Sequence, residues 1–326
     1  MSSSAANQAP PSTSRRFRLA LRFSLRTFLV AVTIFCIALG WQLHRAKLQR
    51  DAVAAIRDTG GSLYYDYQRH DWQSDWDKFD ATARPWEPAW LLVLVGIDFF
   101  HNVTDVSVGF RRGDQPPANI ASHLAHFPRL RSLSISGLCL DDEGLRTVGR
   151  LKRLEFLFRL PGGSISDDGV ANLRDMPRLK CVDFRLAELG DRSLQSFARL
   201  PNLEFLNVSG NDFTDAGLAA LAGHPQLKRL HIGGAQKMSS ISDAGIVHLA
   251  QSPQLEELGL ALTRVTPAGL KPLQKLPKLQ TLSLHESTAD DYAAVAPLFP
   301  NVGILCNTAV APLPNLGTSA AAIGSP

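Results

Sequence analysis

The chain has 326 residues, of which 45% are hydrophobic, enough to bury the core of one large or two ordinary domains. Its formal charge of +4 is unevenly placed: eight of the 34 Lys/Arg and none of the 30 Asp/Glu fall in the first fifty residues, which leaves 26 basic against 30 acidic side chains beyond them. Apart from its N-terminus the chain therefore has no net charge to draw it to nucleic acid, and Cys36, Cys139, Cys181 and Cys306 stand too far apart for a disulfide framework or a Cys/His metal site.

Residues 1–26 read as a disordered basic tail: a Ser/Ala/Pro-rich start, then Arg15, Arg16, Arg18, Arg22 and Arg26. Thr27–Leu43 carries no charge. As a helix it reaches about 25 Å, close to the roughly 30 Å hydrocarbon thickness of a bilayer. Trp41 suits a membrane interface, and the five preceding Arg predict a cytoplasmic N-terminus and an extracytoplasmic remainder. The segment thus reads as a signal anchor spanning 27–43. Ala38-Leu39-Gly40 leaves open a cleaved signal peptide and a secreted product. Ser14-Arg15-Arg16 approaches a twin-arginine signal, but Arg18 stands where that signal has an apolar residue.

Residues 44–100 read as a juxtamembrane helix, a strand and an N-terminal cap. Leu48, Ala52, Val53 and Ile56 are at helical spacing, and Gly60-Gly61 ends the helix. Ser62–Gln68 alternates as a short strand. Four of the five Trp fall between residues 72 and 90, where they are expected to plug the open end of a core; an aromatic docking site is the other reading. Pro88–Phe100 is too short to span a bilayer and is interrupted by Asp98, so a buried capping helix is expected there.

A repeat then governs residues 101–306. Copies of L-x-x-L-x-L begin at Leu130, Leu154, Leu179, Leu203, Leu227, Leu255 and Leu279, at intervals of 24, 25, 24, 24, 28 and 24 residues. A fixed period in this range marks a solenoid, one strand and one short helix per copy. Alternation turns the fourth and sixth positions inward, where Leu, Val, Ile and Phe are expected to form one continuous core. Ser166, Thr214, Ser242 and Thr266 stand at helix N-caps. Asp142, Asp167, Asp191, Asp215 and Asp243 form a column in the first helical turn, read as dipole-complementing caps rather than a metal site. Gly144, Gly169, Gly217, Gly245 and Gly269 recur two residues later, read as close approaches of helix to strand layer. Residues 307–326 read as a disordered tail.

The S/T-D-x-G-L element and the 24-residue period resemble the leucine-rich repeat family, in particular the subclass related to cysteine-containing and ribonuclease-inhibitor-like repeats. Together with RFSLRTFLVAVT, SLYYDYQ and WLLVLVGIDFF, the whole resembles membrane-anchored leucine-rich repeat proteins typical of planctomycete bacteria. The resemblance implies an α/β fold: a curved solenoid with a concave parallel sheet and convex short helices, preceded by one transmembrane helix. It supports binding only by analogy.

The outward strand positions put Phe156, Phe158, Leu160 and Phe205 as exposed apolar side chains on adjacent strands, next to Asp183, Arg185, Asn207, Arg229 and His231, an apolar centre with a polar rim as in a protein interface. The expected function is a non-catalytic protein- or peptide-binding module tethered to the membrane, with these residues as its contact face. The alternatives are a self-associating envelope protein and an F-box-like adaptor of an intracellular complex, although no F-box-like module precedes the repeats. Neither H-E-x-x-H, G-x-S-x-G nor a phosphate-binding loop occurs. The reading includes no catalytic residue, cofactor, metal, nucleic acid or small-molecule substrate.

Overall fold

The computed structural model describes residues 25–68, 80, 82–109, 120–136, 140–160, 165–234, 238–285, 293–306 and 309–310. Trp72, Trp76, Cys139, most of the basic tail, and residues 110–119, 235–237 and 311–326 lie outside them. The chain divides into two compact units, one ending at His44 and one running from Arg45 onward.

The first unit holds the N-terminal part of α1 (Leu25–Asp58). The apolar run and the juxtamembrane segment, expected as separate pieces, belong to one 34-residue helix. Among the described residues α1 alone is long and apolar enough to cross a membrane. Phe28, Leu29, Ile34, Phe35, Ile37 and Trp41 are all exposed on it.

In the second unit, β1 (Ser62–Tyr65) and α2 (Ala89–Val95) precede the repeats. The repeats contribute β2 (Val103–Val108), α3 (Ile120–Leu124), β3 (Ser132–Ser136), α4 (Asp142–Val148), β4 (Phe156–Leu160), α5 (Asp167–Val170), β5 (Cys181–Asp183), α6 (Asp191–Phe197), β6 (Phe205–Asn207), α7 (Asp215–Ala220), β7 (Arg229–Gly233), α8 (Asp243–Leu249), β8 (Glu257–Ala261) and β9 (Thr281–His285). The chain then enters β10 (Gly303–Cys306) and β11 (Ala309–Val310). All eleven strands form one sheet in chain order. Pairing is parallel from β2 to β10, while β1 and β11 add antiparallel at the two ends. Strands stack about 4.8 Å apart and helices about 8–10 Å apart, so the sheet side of such a coil is the concave one.

Leu133, Leu157, Val182, Leu206, Leu230, Leu258 and Leu282 share one register row and are fully buried. They belong to a continuous apolar cluster running from Ala52 to Ile304. Ala52, Val53 and Ile56 of α1 and Leu63 and Tyr65 of β1 close its N-terminal end. One inward position breaks the expectation. Arg159, at the sixth place of its repeat, is only 1% exposed. Burial pulls its guanidinium down from the usual range, against the opposing charge of Glu188.

The helices are registered by a carboxylate ladder. Asp142, Asp191, Asp215 and Asp243 each accept two hydrogen bonds from the N-cap residue of the next repeat: backbone N–H at 2.7–2.9 Å and side-chain hydroxyl at 2.6–2.7 Å, from Ser166, Thr214, Ser242 and Thr266. The Ser166, Thr214 and Ser242 hydroxyl oxygens in turn accept from N–H groups of their own helices, and that of Thr266 accepts from Gly269 N in the turn that follows it. Where the next cap is Gly190, Asp167 takes the Gly190 N–H at 2.9 Å and the Ser193 hydroxyl instead. Four of the five recurrent glycines are explained by the same ladder and not by helix–strand contact; Gly144 instead faces the Leu140 side chain. A Cβ at Gly169, Gly217, Gly245 or Gly269 would overlap the carboxylate oxygen of Asp142, Asp191, Asp215 or Asp243.

Two further cross-repeat features fix the strand side. Asn211, buried, donates to Phe184 O and Val208 O and accepts from Ala187 N and Leu189 N, using its whole amide. It thereby pins a turn in which Leu186 and Glu188 take left-handed backbone angles. At the second repeat position the charges alternate as Arg131, Glu155, Lys180, Glu204, Lys228 and Glu256. Arg131–Glu155 (2.8 Å), Lys180–Glu155 (3.6 Å) and Lys228–Glu204 (2.7 Å) are ion pairs.

The ladder generates a coupling test. D191A removes the partner of two donors and is expected to cost about 1–3 kcal/mol. G217A forces a methyl against that carboxylate and is expected to cost about 1–3 kcal/mol. Once the carboxylate is gone the methyl has room, so urea unfolding of D191A/G217A should show a loss smaller than the sum of the two. Strict additivity would refute the contact.

Candidate ligand-binding face

The outward rows are in the register that strand alternation demands. Ser132, Phe156, Cys181, Phe205, Arg229, Glu257 and Thr281 pair in sequence across β3 to β9. Ser134, Phe158, Asp183, Asn207, His231, Gly259 and Ser283 form the row beside it.

Within these rows the structure gathers some of the expected residues and separates others. Phe156 and Phe158 lie on β4 and Phe205 on β6, with β5 between them. They were expected on adjacent strands. Cys181 separates Phe156 from Phe205, and two strand spacings make about 10 Å. All three rings are half-buried rather than exposed. The side chain of Leu160 lies outside the described residues.

Phe205, Arg229, His231 and Glu257 form one connected cluster. The Arg229 guanidinium carbon stands 4.9 Å from the Phe205 ring centre. The Phe205 and His231 rings are 5.9 Å apart and tilted by 57°. His231 Nε2 meets Glu257 Oε1 at 2.9 Å. This hydrogen bond holds the Glu257 carboxyl below its ordinary range, with burial opposing it. Glu257 was not among the expected contact residues, although its register row contains Phe205 and Arg229. Gly259 follows from the same cluster, since a Cβ there would press against the His231 ring.

Asp183 and Arg185 form a second, smaller group. Arg185 is exposed just beyond β5 and its Nε–H returns to Asp183 Oδ1 at 2.9 Å. Burial pushes the Asp183 carboxyl upward, against the Arg185 hydrogen bond that lowers it. Asn207 is half-buried, and its Oδ1 accepts from Ser209 N at 3.2 Å.

The face lacks an activated nucleophile among these groups. Cys181 is 2% exposed, and burial pushes its thiol well up, the reverse of what a reactive cysteine needs. Among the described residues no group of three or more His, Cys, Asp or Glu has the arrangement of a metal site. The Asp column is occupied by the donors of the next repeat.

The class defined by this architecture is a leucine-rich-repeat solenoid with an open sheet face. The family model described as Leucine Rich repeat matches residues 199–222, the stretch holding β6 and α7. No curated protein matches the chain. Among solved structures the chain is similar to an internalin from Listeria monocytogenes, with 21% identity over 59% of this chain and 52% of that one, at a TM-score of 0.41. It is also similar to a plant peptide hormone receptor, RGFR1, solved in complex with RGF2, with 19% identity over 56% of this chain and 29% of that one, at a TM-score of 0.35. The chain thus spans about half the internalin's length and less of the receptor's.

The His231–Glu257 bond gives a pH signature. A carboxylate with a depressed folded pKa contributes stability that is complete above its unfolded pKa, about 4.3, and is lost as pH falls through the folded value. Wild type should therefore lose more stability than E257Q when denaturation midpoints are followed downward from pH 5. Parallel curves would refute the pairing.

Proposed function

We propose that the protein is a non-catalytic module that binds a protein or peptide on its concave sheet face and is held at a membrane by residues 27–43. The observation that carries this reading is the Phe205–Arg229–His231–Glu257 cluster. It is a half-buried aromatic ring capped by a guanidinium and locked to a His–carboxylate pair, on a sheet face lying opposite the helices. Such a surface offers an apolar contact together with fixed donors and acceptors, and its side chains lose little freedom when a ligand arrives. Phe156 and Phe158 extend it toward β3, and Asp183, Arg185 and Asn207 supply polar contacts between. The exposed apolar helix surface of α1 and the Arg-rich residues ahead of it support an anchor with its N-terminus in the cytoplasm.

The test is a peptide-display selection against the full chain in detergent micelles, with circular dichroism to confirm equal folding of the variants. Peptides selected on the wild type should bind F205D and R229E at least about tenfold more weakly, the effect of losing a central anchor. Selection of no peptide, or of peptides that F205D binds equally, would remove the concave face from consideration. Oligomers that dissociate with F205D would instead give the face to a second copy of the chain.

Topology is checked separately. Protease added outside sealed cells should remove a tag placed at the C-terminus. A tag that is cut only after membrane rupture would overturn the extracytoplasmic placement.

A further inference from the structure

Helix α2 departs from ordinary globular packing. Its sequence, AWLLVLV, is wholly apolar, yet none of its residues is buried. Trp90 is 68% exposed, Val93 86% and Leu94 74%, and Trp86 just ahead of the helix is 82% exposed. The helix was expected to be a buried cap and its Trp residues a core plug; for Trp86 and Trp90 the structure shows the reverse. Single exposed apolar residues are ordinary, but four large ones on and beside one two-turn helix need an occupant.

The position of α2 in the second unit selects that occupant. Its C-terminal end is fastened to the helix residue Arg50, whose guanidinium donates to Val95 O at 2.8 Å and lies against Gly96. Gln49 holds the next turn through Asp98 and the His101 carbonyl, both at 2.9 Å. Arg50 is seven residues from Leu43, the end of the uncharged run. A fully extended chain of that length covers at most about 25 Å, so the chain itself keeps α2 close to one end of that run. Tryptophan is the side chain that most favours the headgroup level of a bilayer.

The charges agree. The helix has no acidic residue, and the exposed Arg84 and Arg50 flank it. Gly96 ends α2 in the wall of a cavity of about 520 Å³ that is also lined by Arg50, Arg57, Tyr65, Tyr67 and Asp98. Asp98 already accepts from Gln49 and Tyr65, at 2.9 and 3.1 Å. Two guanidinium groups against one carboxylate leave the charged lining of the cavity net positive.

We propose that Trp86 and α2 form a lipid-docking wedge that enters the headgroup layer of the bilayer, with the Arg50/Arg57 cavity receiving an anionic lipid headgroup. The proposal rests on the reading of residues 27–43 as a membrane anchor, which supplies the tether. The wedge holds the start of the repeat domain against the membrane surface, so the anchor does not act as a free swivel.

The full chain is reconstituted into vesicles of phosphatidylcholine and phosphatidylserine in which the phosphatidylcholine carries bromine high on its acyl chains, and tryptophan quenching is measured. A W72F/W76F background leaves Trp41, Trp86 and Trp90, and circular dichroism confirms folding. W86F/W90F should remove about two-thirds of the bromolipid quenching, two of three interfacial tryptophans, and W41F the remaining third. R57E should reduce the Trp86/Trp90 share by roughly half or more, because a basic side chain near an anionic surface contributes about a fivefold preference. Quenching lost entirely with W41F and unaffected by W86F/W90F overturns the wedge and leaves the anchor standing. Quenching confined to Trp86 and Trp90 supports the wedge and removes the anchor at residues 27–43. Absence of quenching in all variants overturns both. Quenching that R57E leaves unchanged overturns the headgroup cavity.

Discussion

The structure depends on a hydrogen bond that crosses from each repeat to the next. A carboxylate in the first helical turn of one repeat accepts both the backbone N–H and the hydroxyl proton of the following repeat's N-cap residue. That hydroxyl is then oriented to accept from its own helix. The arrangement asks for a side chain that donates and accepts at once, which Ser and Thr provide and the equally good cap formers Asp and Asn do not provide from a single oxygen. At the cap Asp141 the side chain accepts from Gly144 N at 2.8 Å, and 24 residues before Asp142 the sequence has Ala118 rather than an acid. At the other end Pro267 follows Thr266 where the next acid would stand, and the ladder stops. The S/T-D-x-G motif is thus a contact between neighbours: the Asp of one copy meets the Ser/Thr and the Gly of the next, or, at Gly190, a backbone N–H and the Ser193 hydroxyl in their place.

This explains why the fold was readable and its reasons were not. Periodicity located the strands, their inward and outward rows and the cap residues, and the ladder of strand pairs follows those rows residue for residue from Ser132 to Thr281. Periodicity reports that Gly217 recurs at its position, but not which atom excludes a Cβ there. The partner, Asp191, is a full repeat away in sequence. Asn211 was missed for the same reason, since its four hydrogen bonds reach a turn more than twenty residues earlier as well as its own strand. The alternation of charge at Arg131, Glu155, Lys180, Glu204, Lys228 and Glu256 was legible in principle. Its period is two repeats, so comparing each copy with a single consensus hides it.

Departures from the pattern are where sequence reading failed most. Arg159 occupies an inward position reserved for an apolar side chain, where burial pulls its guanidinium down and the charge of Glu188 opposes that pull. Helix α2 was assigned to the interior because it is apolar. Apolarity alone cannot distinguish a helix facing a core from one facing another apolar phase. In the structure the cap is completed by Ala52, Val53, Ile56, Leu63 and Tyr65 without α2.

The proposed binding face differs in the same way from its expected form. The expected site was a set of outward residues weighted toward three Phe side chains. What the structure adds is connectivity: Phe205 is engaged by both Arg229 and His231, and His231 is fixed by Glu257, with the buried Cys181 between Phe156 and Phe205. A half-buried ring held by charged neighbours keeps one conformation before any ligand arrives, while a fully exposed ring must be immobilised at a cost of about 0.5–1.5 kcal/mol. The lower exposure of these aromatics is therefore no argument against a recognition role. On the proposed face the side chains of β6, β7 and β8 brace one another, beside Phe156 and Phe158 on β4.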